Sequence, residues 1–176
     1  MQRAFMIGIV AMVFGATLIS ANAATLPAPA KLCPLIAATA MEGNTTAPKW
    51  LASGKFYSCD SAGMISPGGA GNIFMTEYHA AGTAKAHASR IYIKFKMYDS
   101  APQKDEVAKP ILSRITAVFA AAKAGPVPDE LVQAINDVAT ASVSTALGTI
   151  RTRYTPGSAA DSPNNGAMFE VQLDVP

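Results

Sequence analysis

Residues 90–98 read RIYIKFKMY and alternate between apolar and polar side chains without interruption. Alternation with a period of two is typical of a β-strand that packs one face on a core and turns the other to water. The apolar side carries Ile91, Ile93, Phe95 and Met97. The polar side carries Arg90, Tyr92, Lys94, Lys96 and Tyr98. The segment therefore predicts a sheet with one covered face, in which the apolar side joins the core.

The rest of the chain predicts what covers that face. Strand-like runs occupy residues 55–60, 72–79 and 167–175, and helix-like runs occupy residues 34–42, 100–124 and 128–153. Strands that follow one another in sequence usually lie side by side, and helices grouped along the chain usually cover one face of an antiparallel sheet. We therefore predict an α+β fold in the order α-β-β-β-α-α-β. Its antiparallel sheet has about four strands, with helices packed on one face.

The last predicted helix depends on a long apolar stripe. Pro128, Asp129 and Glu130 suit the first helical turn, where proline and acidic residues are favoured. Arg151 and Arg153 lie near the predicted end, where positive charge interacts well with the helix dipole. The stripe consists of Leu131, Ile135, Val138, Ser142 and Ala146, and it is widened by Val132, Ala139, Val143, Leu147 and Ile150.

The N-terminus has the layout of a secretory signal peptide. Residues 1–3 include one arginine, residues 4–19 are almost wholly apolar, and residues 21–23 read Ala-Asn-Ala, a cleavage pattern. The apolar run is shorter than the roughly 20 residues that a membrane-spanning helix needs. We predict a signal peptide at residues 1–23, a flexible lead-in at residues 24–30 and a single α+β domain at residues 31–176. The expected location is periplasmic or secreted, with no transmembrane segment after cleavage.

The two cysteines are consistent with export. Cys33 and Cys59 are the only cysteines of the chain, and a single pair in an oxidising compartment predicts one disulfide. Catalytic dithiols usually occur as Cys-x-x-Cys, a spacing that this pair does not have. We therefore expect a structural disulfide, which stabilises by roughly 3 kcal/mol in the chain-entropy model.

Familiar catalytic and cofactor patterns are missing from the sequence. It contains no Gly-x-Ser-x-Gly elbow, and the spacing of Glu77, His79 and His87 matches no known metal-ligand pattern. The methionines at positions 41, 64, 75, 97 and 168 are too far apart in sequence to form a copper-binding tract. We predict no catalytic residues, no metal and no cofactor, and a formal net charge of +2 gives no reason to expect nucleic-acid binding.

Two interpretations of the polar side of residues 90–98 remain open. In one, Lys94 and Lys96 lie beside Glu170 and Asp174 of a neighbouring strand, and the charges cancel. In the other, the basic surface stays uncovered and binds a partner, because tyrosine and arginine are enriched at interfaces.

The functional prediction follows the second interpretation. We predict a non-enzymatic exported protein that binds another protein or an anionic envelope component through five residues: Arg90, Tyr92, Lys94, Lys96 and Tyr98. A small-molecule or lipid carrier and a hydrolase with an unfamiliar site around Glu77, His79 and His87 are the alternatives.

Overall fold

The structure is a computed structural model that describes residues 24–39, 42–43, 46, 48–65, 74–97, 104–157 and 166–176. The predicted signal peptide and Tyr98 lie outside these residues. The helices are α1 (Pro29–Ile36), α2 (Lys104–Ala122) and α3 (Asp129–Asn136). The strands are β1 (Leu51–Ser53), β2 (Phe56–Ile65), β3 (Phe74–Gly82), β4 (Arg90–Met97), β5 (Ala141–Thr145), β6 (Gly148–Thr155) and β7 (Met168–Asp174). Within these ranges, no helix combines the length and the apolar character needed to cross a membrane.

All seven strands form one antiparallel sheet in the order β1-β2-β3-β4-β7-β6-β5. The predicted α+β class is confirmed. The predictions of about four strands and of the order α-β-β-β-α-α-β are wrong, because β1 was not predicted and the last predicted helix contains two strands.

The last predicted helix ends well before residue 153, the limit that the sequence predicts. The α3 helix stops at Asn136, and Val138 then adopts a left-handed conformation with φ 52°. Residues 141–155 form the β5–β6 hairpin, in which alternate residues Ile150 and Thr152 are buried. Serine, threonine and valine dominate β5, and β-branched residues favour strands. Gly148 turns the chain with φ 131° where a Cβ atom would lie 2.2 Å from the Asp174 carbonyl oxygen.

The first helix lies earlier in the chain than predicted. It begins at Pro29 rather than Pro34, so both prolines are inside it and residues 37–39 already lie beyond its end. Either proline suits a first helical turn, and the sequence pattern alone does not distinguish them. The placement puts Cys33 on the buried side of α1, 6.1 Å in Cα–Cα distance from Cys59 of β2. The predicted disulfide is confirmed.

The covered face of the sheet and the helices share one core. Along β4 every second residue is buried, as the alternation predicts. The same holds for β7, where Phe169, Val171 and Leu173 are at most 1% exposed. The core cluster also takes in helix residues, among them Leu32, Ile36, Val107, Ile111, Ile115, Phe119, Leu131 and Ile135. The alternate side chains of β2, β3, β4, β7 and β6 are left on the other side of the sheet.

Candidate functional site

The side of the sheet opposite the covered face, which we call the open face, is a polar surface built mainly from the five adjacent strands β2, β3, β4, β7 and β6. Strand register places its side chains in rows that run across the strands. One row joins Asp60, His79, Tyr92, Gln172 and Arg151, and the next joins Glu77, Lys94, Glu170 and Arg153. Arg90 and Asp174 face each other at one end of the sheet, and Lys96 lies towards the other.

Asp174 is the most connected acid of the open face. Its two carboxylate oxygens accept hydrogen bonds of 2.7 Å each from Arg90 Nε, Arg151 Nη1 and Gln172 Nε2. Partial burial by itself would raise the pKa of Asp174. The hydrogen bonds from Arg90 and Gln172, together with the charges of Arg90 and Arg151, outweigh that effect and lower the pKa. The carboxylate therefore stays ionised and holds two arginines in place.

The centre of the open face is also paired. Lys94 Nζ lies 3.0 Å and 3.2 Å from the two carboxylate oxygens of Glu77. The Tyr92 hydroxyl donates to Glu170. Burial raises the pKa of Tyr92, and the hydrogen bond to the Glu170 carboxylate raises it further. The phenol thus remains protonated and available as a donor at physiological pH.

These contacts favour the first of the two interpretations drawn from the sequence. Lys94 lies opposite Glu170 in the register, as that interpretation expects. Asp174, however, lies opposite Arg90, whereas Lys96 lies opposite Met168. Strands β3 and β7 supply acidic residues on either side of β4. The surface predicted as basic therefore carries both positive and negative side chains.

Tyr92 lies between two shallow grooves of the open face and lines both. The first encloses about 590 Å³ and is lined by Asp60, Glu77 and His79 among others. The second encloses about 710 Å³ and is lined by Ser142, Arg151, Thr152, Arg153, Tyr154, Glu170 and Gln172 among others. Most of the residues that line the two grooves carry a side-chain hydrogen-bond donor or acceptor. Such a surface can recognise a polar or charged partner.

The two histidines of the alternative hydrolase site have separate surroundings. His79 Nδ1 pairs with Asp60, and Ser58 Oγ donates to the same aspartate at 3.2 Å. In a serine–histidine–aspartate relay the serine would bond to the histidine instead. His87 lies in the β3–β4 connection, bridged to Ala84. In the part of the chain that the structure describes, no three His, Cys, Asp or Glu side chains are grouped to hold a metal ion.

A second polar cluster lies inside the core, and the sequence analysis did not predict it. Glu42 and Arg114 form an ion pair at 4% and 6% exposure. The Tyr78 hydroxyl donates to the other oxygen of Glu42, and the Arg114 guanidinium carbon lies 4.1 Å from the centre of the Tyr78 ring. Burial raises the pKa of Tyr78 above its ordinary range. We call these three residues the buried cluster.

Further hydrogen bonds satisfy the buried cluster. Arg114 donates through Nη1 to the Pro110 carbonyl at 3.0 Å, and through Nε and Nη2 to the Ala37 carbonyl at 3.2 Å and 2.9 Å. Glu42 also accepts from the Thr39 backbone N–H at 2.6 Å. The cluster thereby joins α2, β3 and the segment that follows α1. The one sequence signal for it is an arginine within the apolar stripe of α2.

Comparisons of the chain with protein families, with curated proteins and with solved structures find no match.

Proposed function

We propose that the protein is an exported, non-enzymatic binding protein. Its open face would bind another envelope protein or an anionic envelope component. The observation that carries this proposal is the pair of grooves that meet at Tyr92, because they place side-chain donors and acceptors from six strands on one face of the sheet. The disulfide supports export, since structural disulfides form and persist in oxidising compartments.

The larger groove is the better candidate for an anionic partner. Arg151 and Arg153 both line it, and the Arg151 side chain is 57% exposed. Arg151 uses Nη1 for Asp174, and a guanidinium has five N–H donors in all. The remaining donors can contact a carboxylate or phosphate without breaking the pair with Asp174.

The test removes these two arginines. We expect the double variant Arg151→Ser, Arg153→Ser to lose at least about tenfold in binding, equivalent to about 1.4 kcal/mol. Immobilised protein would be mixed separately with peptidoglycan sacculi, outer-membrane vesicles and a periplasmic protein extract. The retained fraction would then be quantified for the native chain and the variant.

The matched control is Lys31→Ser, Lys109→Ser. Both lysines are exposed, and both belong to helices that lie beneath the covered face. This control removes the same charge from the other side of the molecule, so binding should be unchanged. Equal retention of the two double variants in all three fractions would contradict the proposal.

Small-molecule carriage and hydrolysis remain the alternatives, and each has its own measurement. Native mass spectrometry of freshly purified protein would detect a co-purifying ligand and would favour a carrier. Hydrolytic activity that is lost in His79→Ala, the histidine paired with Asp60, would favour an enzyme.

A further inference from the structure

Methionines that are distant in sequence come together on the open face. Met64 of β2 lies opposite Met75 of β3, and Met75 lies opposite Lys96 of β4. Lys96 in turn lies opposite Met168 of β7. We call the three methionines of this cross-strand row the methionine row. Methionines that are far apart along the sequence are thus neighbours in the sheet.

The methionine row is accessible, whereas Met97 of β4 is not. Met64 is 61% exposed, and Met75 and Met168 are half-buried. Met97 follows Lys96 directly but points into the core, where it is fully buried. The two faces of the sheet therefore present the same functional group to two different environments.

We propose that the methionine row is a site of reversible oxidation by peroxide. A lone pair of the thioether sulfur attacks one oxygen of hydrogen peroxide, so that an S–O bond forms as the O–O bond breaks. The sulfur loses two electrons and the peroxide gains them. The proton on the transferred oxygen passes to the departing hydroxide, and the products are methionine sulfoxide and water.

The surroundings of the row suit the oxidised form. A sulfoxide is polar, and it disrupts packing when it forms inside a core. In the methionine row the sulfoxide oxygen would meet water, because Met64 is 61% exposed and Met75 and Met168 are half-buried. Oxidation should therefore change the chemistry of one end of the open face while the core keeps its packing.

The test compares oxidation rates at individual methionines of the folded protein. The purified chain would be treated with hydrogen peroxide, quenched with free methionine and digested for peptide mass spectrometry. We expect Met64 to react first and Met75 and Met168 next, with Met97 at least about tenfold slower than Met64. The thermal melting temperature of protein oxidised only at the row should match that of untreated protein.

Two controls make the result decisive. In urea-unfolded protein the four rates should converge, which shows that the fold sets the order. Incubation with both methionine sulfoxide reductases and their thiol reductant should return the row to its unoxidised mass. Equal rates for Met64 and Met97 in folded protein, a melt lowered by oxidation of the row, or sulfoxides that resist both reductases would each overturn the proposal. None of these outcomes depends on whether the open face binds a partner.

Discussion

The buried cluster and the Asp174 cluster combine the same kinds of group in opposite environments. Arg114 and Glu42 are 6% and 4% exposed, whereas Arg90 and Arg151 are 56% and 57% exposed around Asp174. Removing one partner of a buried pair leaves an uncompensated charge in the core, but water solvates the partner left behind at an exposed pair. Burial therefore decides the role. We infer that the buried cluster stabilises the fold, whereas the Asp174 cluster forms part of the molecular surface.

The largest expected effect is at Glu42. We predict that Glu42→Gln lowers the free energy of unfolding by about 3–5 kcal/mol, because Arg114 then stays buried without its counter-charge. Urea denaturation would measure the change. The matched variant on the open face is Glu170→Gln, which we expect to cost less than about 1 kcal/mol. Similar losses in the two variants would show that burial does not determine how much these acids contribute to stability.

An intermediate effect is expected at Gly63. A Cβ atom at this position would lie 2.6 Å from the backbone oxygen of Glu42, so Gly63→Ala forces the segment carrying Glu42 away from β2. We predict a loss of about 1–3 kcal/mol in the free energy of unfolding, typical of overpacking. The neighbouring exposed residue provides the control, since Ala62→Ser should stay within about 0.5 kcal/mol. A neutral Gly63→Ala would show that the segment is not held tightly against the sheet.

The smallest effect concerns pH. The pKa of Asp174 is lower in the folded state than in the unfolded chain. Its contribution is therefore fully present above the unfolded pKa of about 4, and it is lost as pH falls through the folded value. We expect Asp174→Asn to cost less than about 1 kcal/mol at pH 6 and still less at pH 2. Urea midpoints at the two pH values would show this, and a cost that grows towards low pH would have the wrong sign.

The sequence correctly predicted those regions in which the residue pattern is compatible with only one structure. The alternation in residues 90–98 identified both faces of β4. The pairing of Cys33 with Cys59 followed because the chain has no other cysteine.

In other regions the residue pattern is compatible with two secondary structures, or the structure depends on contacts between residues that are far apart in sequence. Val143, Leu147 and Ile150 suit a helical stripe, yet they lie in a hairpin whose turn places a glycine against the Asp174 carbonyl. Apart from the position of Lys94 opposite Glu170, the pairings of the open face were not predicted, because they depend on strand register, which no local pattern specifies. The buried cluster was missed because Glu42 and Arg114 are 72 residues apart.

We infer that side chains of the covered face stabilise the fold and that those of the open face contribute little. The most direct test is urea denaturation of the triple variant Arg90→Gln, Arg151→Gln, Asp174→Asn, which removes the charges of the Asp174 cluster and leaves the core untouched. We expect a free energy of unfolding within about 1–2 kcal/mol of the native value, since exposed pairs contribute little. A loss as large as that of Glu42→Gln would contradict it.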